Sequence, residues 1–202
     1  MPPKAAAVHA YPMPGPALGE RRLPIIELQQ DWLRLHLRAH GPLYYGKRCL
    51  NRFDDPDGAY GVLYLGQDLG CCLAEVLLPR LEDLVLAPED IAPYAVSVLR
   101  SLEPLRLVDL SGDGVIAIGA DASLATGPHA VSRCWSAALY AHPDRPDGIY
   151  YRARSAPGRL AAAVFERASA KLAVAGPPAP LWEGHSQEVL ALFEAWGVGL
   201  EV

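Results

Sequence analysis

Prolines and glycines, more than any other feature, limit what this chain can fold into. The 202 residues include 19 prolines and 18 glycines, spread so that uninterrupted segments are short. Proline removes a backbone donor and glycine permits tight turns, so both interrupt regular structure. Hydrophobic residues make up 51% of the chain and charged residues 20%, which is typical of a globular protein. The sequence therefore predicts a mixed α and β domain with many turns and one buried core.

Charge and hydropathy argue against two classes of protein. The net charge is -5, whereas a protein that binds nucleic acid through its phosphates normally has a basic face. No apolar run approaches the roughly 18 to 20 residues that span a bilayer, and residues 1–22 lack the apolar centre of a secretory signal. We therefore expect no direct nucleic-acid binding, no membrane segment and a cytoplasmic location. Residues 1–22, rich in Pro, Ala and Gly, are predicted to form a flexible arm before a single domain over 23–202.

The cysteines do not form a metal or disulfide pattern. They are Cys49, Cys71, Cys72 and Cys134, and no pair has the spacing of structural zinc ligands. The adjacent Cys71 and Cys72 cannot both face one way on a helix. We interpret them as small buried residues in a reducing cytosol, with a disulfide or metal role as the alternative, and we expect no metal site.

Alternating and helical spacings place the first elements. Residues 33–37 (LRLHL) alternate leucines with polar side chains, among them Arg34, which predicts a strand. Residues 61–66 (GVLYLG) predict the next strand. A helix follows, with Asp68 as its N-cap and Pro79 as its stop.

The rest of the chain continues in the same pattern. Strands are predicted at 94–99, 105–110, 148–154 and 160–165, and helices at about 131–141 and 186–196. Ser186 is predicted to cap the last helix and Gly197 to end it.

Common catalytic signatures are missing from the sequence. The segment SGDGVIAIG has glycines at 112, 114 and 119, which is not the spacing of a dinucleotide-binding loop. There is also no phosphate-loop motif, no H-E-x-x-H and no G-x-S-x-G. These absences argue against a Rossmann dehydrogenase and against the common hydrolase and nucleotide-triphosphate enzymes.

Four polar residues occur in an ordered series along these elements. Arg34 lies on a strand, Arg52 in a loop, Tyr64 on the next strand and Glu75 on the helix that follows. A helix that packs back across its strand would bring Tyr64 and Glu75 together. Each residue also has an ordinary explanation: a surface strand position, a loop charge paired with an aspartate, the edge of the core, or a solvated helix face.

Three segments that contain these residues resemble the RES domain. They are LRLHLRAHGPLYYG, NRFDDPDGAYGVLYLGQDLGCCLAEVL and DGIYYRARSAPGRLAAAVFERA, and the resemblance runs from about residue 33 to 168. It implies an α+β fold similar to the catalytic core of ADP-ribosyltransferases. In such a fold, a single domain contains a mixed, mostly antiparallel sheet with flanking helices.

The resemblance also implies an activity. RES proteins are bacterial toxins of two-gene modules that degrade NAD by cleaving the bond between nicotinamide and ribose, with water or phosphate as acceptor. At least one lineage instead transfers ADP-ribose to a protein. NAD would then be the substrate, no bound cofactor is expected, and the partner would be an antitoxin with a helix-turn-helix DNA-binding region. The apolar C-terminal segment is either a core helix or a contact between copies in a homo-oligomer.

The family's functional residues fall on the same four positions. Its two arginines match Arg34 and Arg52, and an arginine fork binds the phosphate oxygens of NAD directionally. Its glutamate matches Glu75, which would stabilise positive charge on the ribose in the transition state. Its tyrosine matches Tyr64, which offers a ring face to nicotinamide or a hydroxyl to ribose.

The sequence departs from the family at its serine. Aligned without gaps, the serine position is Ala153. Ser155 would lie on the same face of a strand and is the candidate replacement, or else it is a turn residue before Pro157. The loss of a hydroxyl weakens binding or catalysis, so an NAD-binding member with little or no turnover is a further alternative.

Overall fold

The computed structural model describes residues 11–80 and 84–201 of the chain. Its strands are β1 (Ile25–Leu28), β2 (Asp31–Leu37), β3 (Val62–Gly66), β4 (Val85–Leu86), β5 (Tyr94–Ser101), β6 (Leu105–Asp109), β7 (Gly148–Arg152), β8 (Leu160–Phe165), β9 (Leu172–Val174), β10 (Ala179–Pro180) and β11 (Gly199–Leu200). Its α-helices are α1 (Leu69–Val76), α2 (Pro88–Ile91), α3 (Gly114–Ile118), α4 (Ser123–Thr126), α5 (His129–Ala141) and α6 (Leu181–Trp196). In these two ranges, no helix has the length and apolar character needed to cross a bilayer.

One large sheet organises the domain. Its order is β1-β6-β7-β8-β3-β2-β5-β10, and β9 also pairs with β5. β6 and β7 are parallel, and the other neighbouring strands in this sheet are antiparallel. The predicted fold class, a single α+β domain with a mixed, mostly antiparallel sheet and flanking helices, is confirmed.

Both faces of the central strand β3 are buried. Val62 and Tyr64 contact the core that contains Trp135 of α5. Leu63 and Leu65, whose side chains lie on the opposite face of the strand, contribute to a second core. A third core joins α1, α6 and β2. The Glu75 helix is therefore packed between the sheet and the C-terminal helix.

The predicted start of the Glu75 helix is confirmed. Oδ1 of Asp68 accepts a hydrogen bond from the Cys71 backbone N–H at 2.7 Å, which satisfies a donor in the first turn. The helix ends at Val76, before Pro79, and a short 3₁₀ turn follows over Leu78–Arg80.

Several predicted boundaries differ from the structure by one or two residues, and the start of the last helix differs by five. The last helix begins at Leu181, because the buried Leu181 anchors an additional first turn. A kink at His185 (φ -138°, ψ 15°) separates this turn from the predicted helix that starts at Ser186. Its end is as predicted, since Gly197 is left-handed at φ 68°. The strand predicted over 148–154 ends at Arg152, because the chain bends at Arg154 and Ser155.

The predicted flexible arm falls partly outside the described residues, which begin at 11. Within it, a 3₁₀ turn spans Pro16–Glu20 and Leu18 is buried. The Trp135 indole N–H donates to the Pro12 carbonyl at 2.8 Å. This part of the segment therefore packs against α5.

Candidate active site

A cavity of about 420 Å³ opens beside β2, β3 and α1. Arg34 from β2, Tyr64 from β3, Glu75 from α1 and Arg52 from the preceding loop all line it. The structure thus brings together four of the five residues that the sequence singled out. Ser155 is not among the residues that line the cavity.

Glu75 has a fixed carboxylate. Its Oε1 accepts from the Arg154 backbone N–H at 2.8 Å, and its Oε2 accepts from the Tyr151 hydroxyl at 3.2 Å. Burial raises the pKa of Glu75, and these hydrogen bonds together with the charges of Arg52 and Arg154 oppose that rise. The two donors set the direction in which the carboxylate faces the cavity.

Arg52 is buried with part of its hydrogen-bonding capacity unused. The residue is only 7% exposed. Nη1 donates to the Gly127 carbonyl at 2.7 Å, to Ser132 Oγ at 3.2 Å and to the Leu124 carbonyl at 3.4 Å. Nη2 is buried and has no partner within the described ranges. Burial, followed by the charge of Arg154, lowers the pKa of Arg52.

Arg34 uses its guanidinium differently. Nη2 donates to the Tyr44 carbonyl at 2.9 Å, and Nη1 donates to the Pro42 carbonyl. Burial lowers the pKa of Arg34 to about 10. These bonds hold the segment after β2, where the rings of His40 and Tyr44 stack with centroids 4.6 Å apart and both line the cavity.

The Tyr64 hydroxyl is engaged by the loop that carries Arg52. It donates to Asp54 Oδ1 at 2.9 Å and accepts from the Phe53 backbone N–H at 2.9 Å. Burial raises the pKa of Tyr64 well above its usual range, and the Asp54 carboxylate adds to this. Tyr64 therefore fixes the Arg52 loop through its hydroxyl, while its ring lines the cavity.

The family serine position and its candidate replacement are not lining residues, although their neighbours Tyr151 and Arg154 line the cavity. Ala153 is 1% exposed and packs in a core cluster with Phe53 and Tyr151. Ser155 is exposed and sits on a bend after β7. Neither residue lines the cavity.

Several lining residues were not singled out from the sequence. Arg154 contributes a backbone N–H to Glu75, and Tyr151 contributes a hydroxyl. His129, the first residue of α5, lines the cavity, and burial together with Arg52 and Arg133 lowers its pKa. Tyr151 and Arg154 belong to the quoted segment DGIYYRARSAPGRLAAAVFERA, so the family resemblance was the one available signal for them.

Metal ligands do not cluster in the part of the chain that is described. No group of three His, Cys, Asp or Glu side chains has the arrangement to hold an ion there. The four cysteines are free thiols, and Cys71 and Cys72 are buried, in agreement with their interpretation as core residues.

Comparison with known proteins identifies the family. The sequence model described as RES domain matches residues 25–183. A protein named probable toxin y4kH, from Sinorhizobium fredii (strain NBRC 101917 / NGR234), is 42% identical over 74 residues. That alignment covers 36% of this chain and 57% of the relative, so the chain spans little more than half of the relative's length.

A solved structure has the same fold. The crystal structure of the M. tuberculosis MbcT-MbcA toxin-antitoxin complex contains a chain that superposes with a TM-score of 0.70 at 18% identity. The match covers 88% of this chain and 98% of that one. The fold and the family match agree over most of the sequence, and the chain belongs to the RES domain family.

Proposed function

We propose that this protein is a toxin that degrades NAD by cleaving the bond between nicotinamide and ribose. One observation carries the proposal: a carboxylate held by two hydrogen bonds shares a cavity with a buried arginine that has an unpartnered donor. Both features are complementary to NAD. Its pyrophosphate is anionic, and its ribose becomes positively charged as the bond to nicotinamide breaks.

Glu75 acts on the reacting ribose. When the bond breaks, its electron pair moves to the nicotinamide nitrogen, which becomes neutral, and the positive charge moves to the ribose. A carboxylate beside the ribose stabilises that charge more than it stabilises the ground state. Water or phosphate then adds to the ribose carbon, and water releases its proton to solvent.

Arg52 binds the pyrophosphate. A donor that is already desolvated and fixed binds an incoming anion with little further loss of hydration, and a charged pair of this kind is stronger than a neutral hydrogen bond. Arg154 lines the same cavity and adds positive charge. Tyr64 presents its ring to the nicotinamide riboside, because both sides of its hydroxyl are occupied by Asp54 and Phe53.

The biological setting is proposed from the relatives. One relative is named as a probable toxin, and the solved neighbour is part of a toxin-antitoxin complex. We infer that this chain acts in the cytoplasm without a bound cofactor, and that its partner is an antitoxin with a helix-turn-helix region which blocks the cavity. The net charge of -5 fits a division in which the partner contacts DNA.

The test measures nicotinamide release from NAD by wild type, Glu75→Gln and the control Glu183→Gln, whose glutamate is exposed on α6. We expect wild type and Glu183→Gln to release nicotinamide and Glu75→Gln to lose about 100-fold or more in rate. Comparing buffers with and without phosphate identifies the acceptor. Equal rates for wild type and Glu75→Gln would overturn the proposal.

A second candidate is an NAD-binding member without significant turnover. It is favoured by Ala153 at the serine position and by the absence of Ser155 from the residues that line the cavity. Calorimetric binding of NAD with no nicotinamide release would support it, and gain of activity in Ala153→Ser would identify the missing hydroxyl as the cause. A third alternative is an ADP-ribosyltransferase that modifies a protein. Incubation of the protein with labelled NAD and a cell lysate tests it, because label on protein would favour transfer.

A further inference from the structure

Arg159 links two elements that meet at Glu75. It stands at the end of the turn between β7 and β8, and its Nη1 lies 2.6 Å from Asp68 Oδ1 at the start of α1. The same Asp68 oxygen caps α1 by accepting from the Cys71 N–H. Arg159 also lies 5.9 Å from the centre of the Trp196 ring on α6. The guanidinium therefore joins the β7–β8 turn to the helix that carries Glu75.

Gly70 provides the space for this guanidinium. A Cβ atom built at Gly70 would lie 2.4 Å from Cζ of Arg159, far inside van der Waals contact. The obstructed atoms are the end of a flexible side chain, so a methyl group at position 70 would move Arg159 and leave the helix intact. Alanine is also the better helix former. The glycine is thus explained by the ion pair and by nothing in the helix itself.

The turn that ends at Arg159 also supplies a backbone donor to Glu75. Within the turn, the Ala153 N–H donates to the Arg159 carbonyl at 3.0 Å, and the Arg159 N–H donates to the Ala156 carbonyl at 2.8 Å. Arg154, between these residues, donates its backbone N–H to Glu75. The turn is therefore attached to α1 at two points, Asp68 and Glu75, about two helical turns apart.

We propose that Arg159 is a positioning residue for Glu75. By pairing with Asp68 it holds the 153–159 turn against α1, so that the Arg154 N–H stays on the Glu75 carboxylate when the cavity is filled. The catalytic meaning of this link rests on the proposed cleavage of NAD. A salt bridge of this exposure contributes little to stability by itself, which makes its geometric effect separable from its effect on folding.

The environment of Glu75 gives a direct readout. The charged and titratable groups that act on it are Tyr151 of β7, Arg154 of the turn, Arg52 of the loop after β2, and on its own helix Cys71 and Cys72. A backbone N–H bond to a carboxylate favours the ionised form. Losing the Arg154 bond therefore moves the titration of Glu75 to higher pH, whereas a purely structural salt bridge leaves it unchanged.

The experiment compares Arg159→Met, Arg159→Lys and Gly70→Ala with the control Arg100→Met, which removes an exposed ion pair with Asp31 on β2. The readouts are kcat and KM for NAD, and the Glu75 carboxyl resonance followed with pH by ¹³C NMR. We expect Arg159→Met and Gly70→Ala to lower kcat about tenfold with unchanged KM and to raise the Glu75 midpoint. Arg159→Lys restores part of both, and Arg100→Met matches wild type.

A wild-type Glu75 midpoint in both Arg159→Met and Gly70→Ala would overturn the inference, whether or not the melting temperature falls. The Gly70→Ala variant keeps the test decisive if Arg159→Met folds poorly. If wild type does not consume NAD, the proposed function fails, and the NMR titration still decides the role of Arg159.

Discussion

Arg34 and Arg52 line the same cavity, but their guanidinium groups make different hydrogen bonds. Arg34 donates through both terminal nitrogens to backbone carbonyls 8 and 10 residues further along the chain. Arg52 donates hydrogen bonds only through Nη1, to groups 72 to 80 residues away in the sequence. Its Nη2 is buried and has no partner in the described structure. Residue type and location alone would have assigned both to phosphate. Their bonds differ: Arg34 holds a loop, whereas Arg52 keeps a buried donor that the proposed function assigns to a phosphate.

The unused donor of Arg52 has a cost that a purely structural residue would not carry. Leaving a buried donor unsatisfied costs roughly 1 to 3 kcal/mol, and more for a charged group. Buried groups of this kind are uncommon and call for an explanation, of which a ligand is one. In the function proposed above, a phosphate of NAD is the partner that would satisfy this donor.

Arg52→Met is expected to have the largest effect on this comparison. It removes the free donor and the charge, so kcat/KM for NAD falls about 100-fold, as expected for the loss of a charged hydrogen bond. Steady-state kinetics measures it, with the exposed neighbour Arg48→Met as control. A loss no greater than that of Arg48→Met would remove Arg52 from the binding machinery.

Arg34→Met is expected to act more weakly and through the loop. The freed Pro42 and Tyr44 carbonyls let residues 38–46 move, so KM rises about tenfold, the equivalent of roughly one hydrogen bond. Hydrogen exchange of the amides in 38–46 should speed up in the same variant. A large rise in KM with unchanged exchange would mean that Arg34 contacts the substrate itself.

The pH dependence of kcat is expected to differ between the Arg52→Met and Arg34→Met variants. Burial raises the pKa of Glu75, so an activity that needs the carboxylate is lost as pH falls through that raised pKa. The Arg52 charge lowers this pKa, so Arg52→Met should move the acid limb of kcat to higher pH. Arg34→Met should leave the limb in place. An equal displacement in both variants would contradict the difference in their roles.

Ser132→Ala is the smallest expected change. Ser132 Oγ accepts from Arg52 Nη1 and donates to the Leu124 carbonyl at 2.8 Å. Its loss should lower the free energy of unfolding by about 1 kcal/mol and weaken NAD binding a few-fold, because Arg52 is less firmly held. Urea denaturation and calorimetry measure the two effects. The control is Ser101→Ala on β5, where the buried hydroxyl accepts from the Trp32 indole N–H at 3.0 Å and does not line the cavity. It should lose stability without losing affinity for NAD, and equal affinities in the two variants would contradict a role of Ser132 in holding Arg52.

Local patterns allowed much of the fold to be predicted. Alternation placed β2, and the Asp68 cap followed from one residue type before an apolar helix. The turn before Ser186 was missed because it follows Pro180 and only Leu181 of its residues is buried. Buried contacts across the core, more than local preference, decide such a turn.

The site was predictable as a set of residues and not as a set of bonds. Sequence order and family resemblance named Arg34, Arg52, Tyr64 and Glu75, and the structure places all four on one cavity. The Arg154 contribution is a backbone N–H, which every residue except proline possesses, so no residue type marks it. The difference between Arg34 and Arg52 depends on partners distant in sequence for one and close for the other, which only the folded chain reveals.

The most direct test is a crystal structure of the Glu75→Gln variant with NAD. We predict a pyrophosphate oxygen within hydrogen-bond distance of Arg52 Nη2, the ribose beside residue 75, and Arg34 still bound to the Pro42 and Tyr44 carbonyls. A pyrophosphate held by Arg34 after it has left those carbonyls, with Arg52 Nη2 still unpaired, would contradict the assignment of the two arginines and the binding mode proposed for NAD.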